Sequence, residues 1–206
     1  MLEKIKELLK EKAPLIVEAL QSPATEEQLQ KLEAATGQKL PQGLIELYRE
    51  NNGIDPKKNA NFVYGIPFIP IENCILQVEE NEKNAKQYTL KYADKGIKKE
   101  CLLSNKRIPI GDASGVCLLC VDIDPDEGGV IGQVIMVDTE NQIAIKLNES
   151  VEQCMDSFEK DLIKNKYQLQ EDALDDGVHW LKPEREIDPV NWFNSPRWQY
   201  VKDREG

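Results

Sequence analysis

An α+β fold, with a largely antiparallel β-meander and flanking helices, follows from three features of the sequence. The first 50 residues repeat apolar side chains at helical spacing. Residues 107–147 alternate short apolar runs with turn residues, which is how consecutive antiparallel strands are written. A last amphipathic stripe begins near residue 150.

The elements follow in order. Leu2, Ile5, Leu8, Leu9, Leu15, Ile16 and Leu20 lie at helical spacing, with Pro14 as a break. Thr25 followed by Gln28 forms a capping box that starts a second helix, with Leu29, Leu32 and Ala35 on its buried face. Gly37 closes it. Pro41 sits near the start of the next helix, where Leu44, Ile45, Leu47 and Tyr48 form a stripe, and Asn51-Asn52-Gly53 ends it. Residues 62–71 hold Pro67 and Pro70, so an irregular or edge strand is expected. Residues 72–94 are polar and helix-permissive, with Ile75, Leu76 and Val78 on one side.

Arg107-Ile108-Pro109-Ile110 leads into a turn at Gly111-Asp112-Ala113-Ser114-Gly115. Residues 116–123 are almost continuously apolar, which predicts a central strand covered on both faces. Residues 124–129 form a second turn, 130–137 another strand, 138–141 a third turn and 142–147 a fourth strand. A helix is expected over 150–166, with Val151, Met155, Phe158, Leu162 and Ile163 on one side. One domain is expected over residues 1–170. Residues 171–206 hold Trp180, Trp192 and Trp198 with Pro183, Pro189 and Pro196. They read as an extension of low regularity that packs on the domain through its aromatics.

Composition narrows the function. The net charge is −11 and the pI about 4.8. Such a chain repels nucleic acid and anionic membranes and attracts a basic partner. No run approaches the roughly 18–20 apolar residues that span a bilayer. The charged N-terminal helix is no secretory signal, so a cytoplasmic location is expected. Cys74, Cys101, Cys117, Cys120 and Cys154 are odd in number and irregular in spacing, as reduced and mostly buried thiols would be.

Candidate chemistry is sparse. Cys117 and Cys120 have Cys-x-x-Cys spacing. On a strand, residues three apart face opposite ways, so these two cannot share a metal or bridge. Asp122, Asp124 and Asp126 match the opening of a calcium loop, but its sixth and twelfth positions hold Glu127 and Gln133 instead of Gly and Glu. Ser114, among its glycines, lacks the nucleophile-elbow pattern, and the only base candidate is His179. No glycine-rich phosphate loop precedes a helix. No cofactor, metal site or catalytic set is assigned. Acidic residues cluster at Asp122, Asp124, Asp126 and Glu127 and again at Asp175 and Asp176. They are the candidate partner-binding residues, because an acidic face steers a basic partner.

The order of these pieces resembles the SUKH superfamily, the Smi/Knr-type family. The resemblance is carried by residues 24–29, Leu40-Pro41-Gln42-Gly43-Leu44 and Tyr48-Arg49-Glu50-Asn51-Asn52-Gly53. It continues through residues 108–115 and 121–125, Gly132-Gln133-Val134 and the Ser157-Phe158 step, spanning roughly residues 20–165. It implies an α+β fold and binding rather than catalysis. Many bacterial members are similar to immunity proteins that neutralise toxins, often nucleases, by direct binding; fungal members act as regulatory scaffolds. The expected function is therefore an immunity protein whose partner is a basic toxin domain. Two alternatives are a scaffold without a toxin partner, in cell-wall or signalling processes, and a metal-dependent hydrolase using the Asp122–Asp126 carboxylates.

Overall fold

A computed structural model describes residues 1–84 and 88–202. The chain begins with two short helices, α1 (Glu3–Lys12) and α2 (Pro14–Ala19). Pro14 stands at the first position of α2, where its missing N–H costs nothing. Leu2, Ile5, Leu9 and Ile16 are buried, and α1 lies against α6 (Val151–Ile163). The first residues are pinned to the next layer: the Met1 ammonium lies 2.7 Å from Glu50, and Leu2 N–H donates to the same carboxylate.

Helix α3 (Glu26–Thr36) starts on the expected capping box, with Gln28 N–H donating to Thr25 Oγ1 and Thr25 N–H to Gln28 Oε1. It stops at Gly37, whose φ of 64° is left-handed. Helix α4 (Gln42–Glu50) buries Leu44, Leu47 and Tyr48. It crosses α6 so closely that a Cβ on Gly43 would lie 2.4 Å from the Glu152 carboxyl group.

The Asn-Asn-Gly exit of α4 ties three segments together. Asn51 Nδ2 donates to Gln21 O. Asn52 Oδ1 accepts from the Ile71 N–H at 2.8 Å, capping the start of α5 (Ile71–Asn84). Gly53, at φ 71°, passes within contact of the 69–70 backbone, where a Cβ would approach to 2.5 Å. No other residue fits there without moving one of the two chains.

The stretch expected as an irregular or edge strand is a 3₁₀ turn, Val63–Gly65, followed by a single bridge from Phe68 to Gly111 and no longer strand. Pro67 and Pro70 remove the N–H groups that a longer ladder would need. The helix expected over 72–94 is α5 as far as Asn84. Residues 85–87 of that expectation lie outside the described residues, and the chain beyond them is not helical. Tyr92–Ala93 is a short strand, β1, paired in parallel with β5 (Ile143–Asn148).

The main sheet has the order β1-β5-β4-β3-β2. Strands β2 (Arg107–Ala113), β3 (Cys117–Asp122), β4 (Gln133–Asp138) and β5 form the expected antiparallel meander. The β2–β3 turn places Ser114 at φ 58° and Gly115 at φ 75°, the two left-handed positions of a type I′ hairpin. β2 carries a bulge between Pro109 and Gly111, where Pro109 has no N–H to give the ladder.

Side chains alternate strictly across the sheet. Cys117, Leu119, Val121, Val134, Met136, Ile143, Ile145 and Leu147 face the main core beneath the helices. Leu118, Cys120, Ile135, Val137 and Ala144 face a smaller second core. That second core is closed by Leu90, Ile97 and Leu102 from the segment between α5 and β2. Arg107, only 3% exposed, clips this segment down by donating to Leu102 O at 2.7 Å and to Cys101 O and Lys98 O.

Helix α6 buries Val151, Cys154, Met155, Phe158 and Leu162. Ile163, expected on the same side, is exposed, because it lies at the end of the last turn beyond the buried stripe. The chain continues through β6 (Tyr167–Leu169), α7 (Glu171–Asp175) and β7 (Leu181–Pro183), with β6 and β7 paired as an antiparallel ribbon. Asn61 holds this ribbon by a reciprocal pair of bonds to Leu181 O and N–H, both 2.8 Å. Trp192 and Trp198 are buried in the main core, and Trp192 Nε1 donates to Asp138 Oδ2. Trp180 is only half-buried. The last described helix is α8 (Gln199–Lys202). Among the described residues, no helix is long and apolar enough to cross a membrane.

Candidate interaction surface

The first acidic cluster lies on the β3–β4 loop, and its members have different jobs. Asp122 ends β3 and is 2% exposed. Its Oδ2 accepts from Gln133 Nε2 at 2.9 Å, and its Oδ1 accepts from Asp124 N–H at 3.1 Å. Burial pushes its carboxyl above the ordinary value, while Gln133, the Asp124 N–H and the charge of Arg107 pull it back. This side chain shapes the loop and does not face solvent.

Asp124 is half-screened by Lys98, whose ammonium lies 2.6 Å from Oδ2. Asp126 and Glu127 are exposed and form no ion pair among the described residues. Asp126 Oδ1 accepts from Glu127 N–H, and the backbone of Asp126 bonds Gly96 O and Gly129 N–H. Gln133 completes the frame: Nε2 donates to Gly96 O, and Oε1 accepts from Val130 N–H. The loop is therefore held from inside by Asp122 and Gln133 and from the side by the 94–98 turn.

Val130 and Ile131, expected at the start of a strand, sit at the tip of this loop and are 48% and 67% exposed. β4 begins only at Gln133. Gly132, at φ 91°, turns the chain against Pro41, and its N–H donates to Asp122 O at 2.8 Å. The strand starts after this turn, so the apolar pair is left outside the ladder. Nothing in the apolar run itself distinguished a tip from a strand; Gly128-Gly129 and Gly132 on either side were the available signal. The result is a hydrogen-bonded loop with exposed carboxylates at Asp126 and Glu127 and an exposed apolar pair, Val130 and Ile131, that begins three residues after Glu127.

Asp175 and Asp176 are exposed at the end of α7. This second acidic run has different neighbours, since His179 Nδ1 just beyond it accepts from Leu15 N–H of α2. No bond or ion pair joins the two clusters among the described residues.

The other chemical candidates are accounted for by packing. Cys117 lies on the main-core face and Cys120 on the second-core face. All five cysteines are free. Burial lifts the Cys74, Cys117 and Cys154 thiols to about 12 and Cys120 higher still, so they stay protonated at neutral pH. Ser114 is in the hairpin turn, and His179 is engaged with Leu15. Among the described residues, no group of three His, Cys, Asp or Glu side chains could hold a metal ion.

A sequence model of the SMI1/KNR4 family (SUKH-1) matches residues 23–162. The chain belongs to that family. The match runs from the approach to α3 to the last turn of α6 and contains the whole five-stranded sheet. No curated protein matches the chain. As a member of the SMI1/KNR4 family it is a protein-binding module of this superfamily. α1, α2 and the ribbon-and-tryptophan segment after α6 lie outside or at the margin of the matched region.

Proposed function

We propose that this SMI1/KNR4-family chain is an immunity protein of the cytoplasm that acts by binding, without catalysis, and neutralises a basic toxin domain. Family membership over residues 23–162 carries the reading. The β3–β4 loop supports a mechanism. Asp126 and Glu127, on a chain of net charge −11, would draw a basic groove and speed encounter. Exposed charges add little to final affinity. Val130 and Ile131 supply the apolar contact that would hold the complex once formed, since buried apolar anchors dominate interface energetics. Because Asp122 and Gln133 already tie the loop by hydrogen bonds, less ordering entropy would oppose binding.

The test is a search of the flanking genes for a toxin domain, co-expression with it, and binding measurements on the purified pair. Growth rescue and a stoichiometric complex are expected. Ile131→Asp should weaken binding by about tenfold or more, roughly 1.4 kcal/mol. Reversing Asp126 and Glu127 to Lys should mainly slow association, and more so at low salt. A gene with no toxin domain beside it, or no complex with the one found, would reject the immunity reading in favour of a regulatory scaffold.

A further inference from the structure

A cavity of about 350 Å³ beside the end of α6 runs against the charge of the rest of the chain. Its wall includes Lys160, Lys164, Lys166 and Arg197, with two carboxylates, Asp161 and Glu186. Four cations against two carboxylates leave a local excess of two positive charges. Lys166 is paired with Glu186 at 3.2 Å. Among the described residues Lys160, Lys164 and Arg197 have no ion-pair partner, and Arg197 is steadied by stacking 5.0 Å over the Trp198 ring.

The neutral part of the lining is ordered. The Tyr64 hydroxyl donates to Asn148 Oδ1 at 2.8 Å, and Asn148 Nδ2 donates to Ser157 Oγ at 3.2 Å. Donation runs one way along this relay and ends on a hydroxyl. Among the described residues, nothing accepts the proton of Ser157 Oγ. Tyr64 stands at a left-handed φ of 59° in the Val63–Gly65 turn, its N–H donating to Tyr167 Oη at 3.1 Å. A bulky residue in that region marks a constraint that the surroundings impose.

Lys160 and Lys164 also offset the negative end of α6, and that alone would explain two lysines. It does not explain Arg197, delivered from more than thirty residues later in the chain, nor a hydroxyl–amide relay ending with a spare donor.

We propose that this cavity binds a phosphomonoester. Such a group carries about −1.5 to −2 charges at pH 7 and three acceptor oxygens, matching the excess charge and the supply of donors. Arg197 suits two of those oxygens at once, while Lys160 and Lys164 act as point charges. The volume exceeds one phosphate, so the ester substituent has room. The same chemistry is presented by a small phosphorylated metabolite and by a phosphorylated side chain of a protein partner. The site is independent of the β3–β4 loop.

The experiment is calorimetric titration of the full chain with O-phospho-L-serine, inorganic phosphate and a phosphoserine peptide, with L-serine and sulfate as controls. It is repeated on Lys164→Gln/Arg197→Gln, both exposed positions, with circular dichroism confirming the fold. Phosphoserine should bind, L-serine should not, and the double variant should lose about tenfold or more in affinity. A peptide much tighter than the free amino acid assigns the ligand to a partner protein; equal affinity assigns it to a metabolite. Equal weak heats for phosphoserine, sulfate and L-serine, or affinity unchanged in the double variant, would overturn the proposal.

Discussion

The two faces of the five-stranded sheet share the same strands and are closed by different means. Beneath one face lie α4, α5 and α6 with a chain of aromatic contacts, Phe158 meeting Phe62 at 5.0 Å and Tyr167 at 5.1 Å. Over the other lies a segment with little regular structure, whose Leu90, Ile97 and Leu102 cover a small apolar patch. Helices satisfy their own backbone and need only side-chain packing to hold them. The covering segment cannot do this throughout, so three of its carbonyls, those of Lys98, Cys101 and Leu102, are satisfied by Arg107 reaching out from β2. One face is closed by helices and apolar packing; the other adds to a smaller apolar patch a buried cation and a few backbone bonds, Leu90 N–H to Lys99 O and Leu102 N–H to Tyr88 O among them. The second face should open first, independently of the rest.

The largest effect tests the helical side. Phe158→Ala should cost about 3–5 kcal/mol and lower the whole denaturation curve, as measured in urea. A loss confined to a local opening would break the comparison. Arg107→Ala should cost about 2–3 kcal/mol, because charge-assisted bonds to otherwise unsatisfied carbonyls are lost. Hydrogen exchange should show residues 98–103 deprotected while the amides of α6 keep their protection. Equal deprotection of both would mean that the two faces are one unit. Leu102→Ala should cost about 2 kcal/mol, near the low end for such truncations, since Leu102 also borders an open cleft of about 470 Å³ beside Tyr88 and Asn81.

The smallest effect is a pH dependence. The folded carboxyl of Asp122 titrates above its ordinary value because of burial. Its contribution is therefore fully present below the unfolded carboxylate range, about pH 3.9, and is lost as pH rises through the folded value. The stability of the native chain minus that of Asp122→Asn should decline across that window. A difference that rose with pH would show that Gln133 and the Asp124 N–H outweigh the burial of the charge.

How much of this was legible depended on whether a residue's neighbours in sequence were also its neighbours in space. The Thr25–Gln28 capping box, the break at Pro14, the stop at Gly37 and the doubly covered strand around Leu119 are local signals, and each stands where expected. The opposed faces of Cys117 and Cys120 followed from strand geometry alone. The strand at Tyr92–Ala93 was not legible, because two residues carry no periodicity and its partner lies about fifty residues away. Val130 and Ile131 were misplaced because an apolar run does not reveal where its ladder begins. In the acidic cluster the sequence supplied the carboxylates but not their division of labour. Asp122 is spent on the loop's frame, whereas Asp126 and Glu127 face outward. The Lys160–Arg197 cavity joins segments that only the tertiary fold brings together.

The residues that mark the family are largely consumed by the architecture. Asn52 caps α5, Gly53 lets two chain segments cross, and Asp122 with Gln133 braces a loop from within. The outward positions 126, 127, 130 and 131 support none of those bonds through their side chains. On the proposed reading, substitutions at these four positions would change what the chain binds while leaving the frame beneath them intact. Likeness to the family would then report the scaffold, and a change of target at these positions would leave that likeness untouched.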